Sequence, residues 1–289
     1  MKKSSIFFLV FIILLTSCSK IVQEIDWNPE EVPNKLIVEG SISNEPGLHP
    51  LSLKRSDAYF SNSPSPMVSG ASISLISGSS VFEYLEDPEN PGFYYMNEPI
   101  TGTVNQEFTL NITLDEELDG SSEFTATSAI IEGMRIDSIS ADLYTNPVIF
   151  GDNDSLVLVL LIYGEEPVEF INYYLMKLYR NNSLLSDTII DYPVFKDIDN
   201  GMNGESILGF MFTTTEFSPG DTLSLELVSI PKDFKIFLDG VNQISQPGDP
   251  FGFAGPPANA VGNINQGNAL GFYYGAFVAH GKSVVVDRR

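Results

Sequence analysis

Phe108-Thr109-Leu110-Asn111-Ile112-Thr113-Leu114 alternates apolar and polar residues without a break. A period of two places every apolar side chain on one face of an extended strand, which a helix of period 3.6 cannot do. The turn pair Asp119-Gly120 follows, and then a second extended run through Phe124, Ala126 and Ser128. Asp-Gly between two such runs marks a tight hairpin. Working outward, the same grammar recurs. Leu36, Val38 and Ile42 belong to one strand and Leu51 and Leu53 to another. Ala71, Ile73 and Leu75 alternate with serines, while Val81, Phe82, Tyr84 and Leu85 lead through the proline-rich turn Asp87–Gly92 to Phe93-Tyr94-Tyr95. Short strands with turn signals about every ten residues predict an antiparallel β-sandwich over residues 35–132.

A second block, residues 133–289, carries the same pattern. Strands are expected at Arg135–Tyr144, Ser155–Tyr163, Phe170–Arg180, Leu184–Ile190, Ile207–Thr215 and Thr222–Ser229. One helix is expected over 231–245, because Phe234, Phe237, Leu238, Val241 and Ile244 recur at three- and four-residue steps behind Pro231. A long Gly-, Pro- and Asn-rich stretch, 246–271, then leads to an apolar strand at Phe272–Ala279. A loop of that length in a folded domain is uncommon and often functional. Its Phe251 and Phe253 are the candidate partner contacts, since burial is less assured there than on a strand. The fold class expected is all-β, two tandem sandwiches with one added helix.

The N-terminus specifies an address. Lys2 and Lys3 precede ten apolar residues, Ile6 to Leu15, and then Thr16-Ser17-Cys18. A helix of ten residues rises about 15 Å, half of a ~30 Å hydrocarbon core, so the run suits a cleaved signal rather than a span. Cys18, the only cysteine, is expected to be acylated and to start the mature chain, with residues 1–17 as signal peptide. A single acyl chain anchors only marginally, so a multiply acylated cysteine is what holds firmly. Ser19, in place of an aspartate, is expected to send the lipoprotein to the outer membrane. Ser19-Lys20-Ile21-Val22 lacks the acidic cluster that favours surface export, so either face is compatible. Residues 18–34, which include Trp27, form a polar tether reaching about 50 Å at most.

Composition narrows the function. Removing residues 1–17 takes away two lysines and leaves 13 basic against 38 acidic residues, a formal charge of −25. Such a surface repels phosphate backbones and argues against nucleic acid. With Cys18 lipidated no thiol remains, which removes disulfides, thiolate catalysis and cysteine–zinc sites. His49 and His280 are isolated, and neither a nucleophile elbow nor a zinc-protease motif occurs. No catalytic residue, metal or cofactor is therefore assigned. The run Asp197–Glu205 places oxygen ligands at alternating positions, but lacks the glycine and distal glutamate of a calcium loop and reads as a hairpin turn. Ser138, Ser155, Thr188 and Thr222 each follow an aspartate and precede an aliphatic residue. That triplet resembles a bacterial O-glycosylation acceptor, and it is also what an acidic turn at a strand start produces.

Several short segments carry a family resemblance. These are Val38-Glu39-Gly40, Val68-Ser69-Gly70-Ala71, Ile136-Asp137-Ser138-Ile139, Gly248-Asp249-Pro250-Phe251, Asn263-Ile264-Asn265-Gln266-Gly267 and Leu270-Gly271-Phe272-Tyr273. Their order resembles the Bacteroidetes outer-membrane lipoproteins grouped under a domain of unknown function, across essentially the whole mature chain. The resemblance implies a transthyretin- or carboxypeptidase-regulatory-like first sandwich and an Ig-like second. It also implies an accessory role beside a TonB-dependent transporter, with no catalytic residues to carry over. Gly252-Phe253 and Asn268-Ala269 make the C-terminal loop slightly longer than the family pattern. The alternatives are a free-standing adhesin or glycan-binding module and a hydrolase, which would need a carboxylate or serine cluster in a deep cleft.

Overall fold

The structure is a computed structural model that describes residues 34–57, 63–145, 156–169, 171–197, 201–213, 216–245, 260–264 and 269–288. Cys18, Trp27, Ser155, Phe251 and Phe253 lie outside the described residues. Those described form fifteen strands and one α-helix, the all-β class that the alternation predicts. The first seven strands are β1 (Leu36–Ser43), β2 (Leu51–Arg55), β3 (Ser72–Ser77), β4 (Ser80–Glu86), β5 (Phe93–Met96), β6 (Glu107–Leu118) and β7 (Ser121–Ala129).

In β6 the buried residues are Phe108, Leu110, Ile112, Leu114 and Leu118, so the opening heptapeptide turns its apolar face inward. Leu118 pairs with Ser121 across Asp119 (φ 49°) and Gly120 (φ 76°). Two consecutive positive φ values are what a type I′ hairpin requires, and Asp-Gly supplies them at low cost. The proline-rich turn is held by the Asp87 carboxylate, which accepts from Glu89 N–H at 2.9 Å and from Asn90 Nδ2 at 2.8 Å. These strands enclose a first core of Val38, Leu53, Leu75, Tyr94, Phe108 and their neighbours.

The second half holds β8 (Arg135–Thr145), β9 (Leu156–Glu165), β10 (Tyr173–Arg180), β11 (Ser183–Leu184), β12 (Val194–Lys196), β13 (Ile207–Thr213), β14 (Thr222–Ile230), helix α1 (Lys232–Ser245) and β15 (Leu270–Asp287). A second core lies among Leu143, Leu158, Leu160, Met176, Leu208, Leu225 and others. The expected strand over Leu184–Ile190 is corrected: only Ser183–Leu184 pair, and a 3-10 turn occupies Ile189–Asp191. Ser186 Oγ donates to Asp191 Oδ2 at 2.7 Å and accepts from Thr188 N–H at 3.2 Å. Local side-chain bonds of this kind offer the backbone an alternative to the ladder.

β15 extends well beyond the expected Phe272–Ala279 and changes partner twice. Its residues 270–276 run parallel to β1, 277–284 antiparallel to β14, and 285–287 parallel to β8. Tyr273 is consequently buried in the first core and Val285 in the second. One strand therefore serves both cores. The close approach to β1 depends on Gly271, whose φ is +88° and whose missing Cβ would lie 2.0 Å from the Val38 carbonyl oxygen.

Candidate binding groove and buried polar cluster

Odd residues of β14 (Leu223, Leu225, Leu227) enter the second core, while Val228 and Ile230 point the other way. A sheet apolar on both faces needs a second cover, and α1 supplies it. Phe234, Phe237 and Leu238 lie on one face of the helix at three- and four-residue steps and pack on Phe272, Tyr274 and Ala276 of β15. Phe234 stacks on Tyr274 with ring centroids 3.9 Å apart and an interplanar angle of 16°. Its centroid is 5.1 Å from that of Phe272, and the Phe237 ring is 5.5 Å from Phe272. The helix thus occupies the predicted span with the predicted face inward. Its last turn is the looser end, with Ile244 39% exposed.

Helix, β1 and β15 leave between them a groove of about 550 Å³. Phe237, Val241, Ile244, Ile37, Leu270 and Phe272 give it apolar walls, while Glu39, Ser41 and Asp187 stand among its polar groups. Glu39 accepts from Ser52 Oγ at 3.1 Å and from Lys54 Nζ at 2.6 Å, so its charge is already partnered. Burial pushes the Tyr274 phenol up to about 12, with a Ser41 hydrogen bond opposing the shift. The phenol is neutral at ordinary pH and serves as a polar handle on an aromatic wall. Concave, mostly apolar walls with a few polar groups suit the binding of an apolar or ring-bearing ligand.

The predicted site residues do not converge on this groove. Ser138 is exposed on β8, at a bulge between Ile136 and Ser138. Thr188 is exposed ahead of the 3-10 turn. Thr222 is half-buried at the start of β14, its N–H donating to Asn181 Oδ1 at 2.8 Å. His49 is buried with Nε2 3.0 Å from the Ile100 carbonyl, and burial lowers its pKa. His280 pairs with Glu45 at the surface. The aromatic residues that line the groove were each legible as helix face or strand core; their meeting was not.

A second feature was legible only at Asp197, within the run already noted for its oxygen ligands; the residues that meet it carried no mark. At one end of the second sandwich Glu166 is 4% exposed, Asn172 1% and Asp197 0%. Glu166 Oε1 accepts from Asn172 Nδ2 at 2.7 Å and from the Tyr174 hydroxyl at 3.1 Å, and Oε2 from Gly204 N–H at 2.6 Å. Asp197 Oδ2 accepts from Asn172 N–H at 2.8 Å. Burial, followed by the nearby Glu166 charge, holds the Tyr174 phenol well above its ordinary range. Acids are common in this chain, and nothing in Gly164-Glu165-Glu166-Pro167 distinguishes the buried one from its exposed neighbour.

No curated protein matches the sequence. A family model matches residues 22–281, which takes in both cores and most of the shared strand β15. With that coverage, the chain belongs to the family described as a domain of unknown function, DUF4249.

Proposed function

We propose that this protein is a non-enzymatic outer-membrane lipoprotein, anchored through an acylated Cys18, that acts as an accessory or substrate-binding subunit of a TonB-dependent transporter. The anchor rests on the N-terminal sequence: two lysines, a ten-residue apolar run and, after Thr16 and Ser17, a single cysteine. The observation that carries the binding role is the aromatic-walled groove between α1, β1 and β15, which favours recognition over proton transfer. Family membership is compatible with this reading and names no activity of its own.

The test is affinity purification from outer membranes in mild detergent, with the wild type beside Ile244→Asp. Ile244 lines the groove and is partly exposed, so the new charge enters the binding surface with little demand on the core. A transporter should co-elute with the wild type and be depleted with the variant. Recovery of the protein alone at full yield would refute the accessory role. Retention on immobilised polysaccharide would then point to the free-standing glycan-binding alternative, for which the aromatic walls are also suited.

A further inference from the structure

We propose that Glu166, Asn172, Asp197 and Asn203 form a calcium site that ties together the loops at one end of the second sandwich. The four residues come from two loops, Glu166 and Asn172 from the β9–β10 connection and Asp197 and Asn203 from the β12–β13 connection. Glu166 follows β9, Asn172 precedes β10, Asp197 follows β12, and Asn203 lies ahead of β13. Pairing of Tyr173 with Lys196 sets Asn172 beside Asp197, whose N–H also donates to the Asn172 carbonyl at 3.1 Å. Asn172 then reaches Glu166 through its side-chain amide. Gly204, the neighbour of Asn203, reaches the other Glu166 oxygen through its N–H.

Two observations point to a ligand. First, the partners of buried Glu166 among the described residues are an amide, a phenol and a backbone N–H, all neutral. A buried carboxylate is costly without an opposite charge. Second, Asn172 Oδ1 and Asn203 Oδ1 are both buried and accept no hydrogen bond from the described residues. Turning the Asn172 amide over gives no relief, because Oδ1 would then face the Glu166 carboxylate where Nδ2 now donates. An amide oxygen is thus pinned in the interior, beside a carboxylate that meets no counter-charge among the described residues.

A cation answers both needs. Carboxylate and amide oxygens select a hard ion, and calcium takes six to eight such oxygens in flexible geometry, with water completing the shell. No group of three or more His, Cys, Asp or Glu suited to a metal occurs among the described residues. The proposed set differs from such groups in using two carboxylates and two neutral amide oxygens. It contains no nitrogen or sulfur ligand, which disfavours zinc.

The full purified chain, stripped with a chelator, supplies the test. Calcium at a hundredfold excess over its Kd should raise the unfolding midpoint by about 5–10 °C. Terbium in its place should show tyrosine-sensitised emission, because the Tyr174 hydroxyl already touches Glu166, and added calcium should quench it. Asn203→Ala is the deciding variant: it deletes an unpartnered oxygen and breaks no side-chain hydrogen bond of that atom. It should weaken calcium binding at least about tenfold while leaving the chelated midpoint within about 1 °C. A wild-type midpoint indifferent to calcium overturns the proposal and leaves water as the partner of the two amide oxygens. So does calcium binding undiminished in Asn203→Ala.

Discussion

Replacing Gly271 by alanine tests whether the close seam between β1 and β15 holds the two cores together. The perturbation has two parts. The backbone at Gly271 has φ +88°, in the left-handed region, where an L side chain costs about 1–2 kcal/mol. The added Cβ would also stand 2.0 Å from the Val38 oxygen and 2.9 Å from its carbonyl carbon and nitrogen. All three atoms are backbone of the paired residue, so no rotamer change relieves the overlap and the strands must part. Forced displacement of packed structure costs about 1–3 kcal/mol, which brings the total to about 2–5 kcal/mol. Gly78 provides the internal control, with φ +58° and no atom within 4 Å of the point an added Cβ would occupy. Gly78→Ala should therefore show the backbone part alone, about 1–2 kcal/mol. Urea unfolding followed by circular dichroism would measure both variants, with about 2–4 °C of melting temperature per kcal/mol as a cross-check. Equal destabilisation of the two variants, within about 0.5 kcal/mol, would refute the argument that steric fit at this seam is what matters.

Two other expectations follow from the same interior. The Tyr84 and Tyr273 hydroxyls meet at 3.3 Å, and burial raises the Tyr84 pKa from 10.0 to about 12 and that of Tyr273 well above 10.0. The folded state then keeps protons that the unfolded chain releases, so stability is intact below pH 10 and falls as pH rises toward 12. Tyr84→Phe should flatten part of that decline, and a wild-type urea midpoint constant across the interval would contradict the assignment. At the groove, Phe234 is 3% exposed and stacked on Tyr274, so Phe234→Ala should cost about 3–5 kcal/mol and remove helical signal. Ile236→Ala, at a position 54% exposed on the same helix, should stay within about 0.5 kcal/mol of wild type in the same assay.

Local chemistry was legible in the chain wherever a short-range period or turn preference carried it. Phe108 to Leu114 declared a strand, Asp119-Gly120 declared its hairpin, and the spacing of Phe234, Phe237, Leu238 and Val241 declared a helix with one buried face. Each rests on contacts within a few residues, which periodicity can see. Where local preferences competed, the reading failed: the apolar residues of Leu184–Ile190 suggested a strand, and the Ser186–Asp191 bond closed a turn instead. The length of β15 and its three successive partners belong to tertiary structure alone, because no spacing in the sequence says which distant strand a residue will pair with. The groove arises in the same way, from a helix laid over a sheet whose second face needed cover. Glu166 makes the point most sharply. Its burial against Asn172, Tyr174 and Gly204 is created by loops arriving from different strands, and an acidic residue in an acidic chain carries no mark of that environment until the fold closes around it.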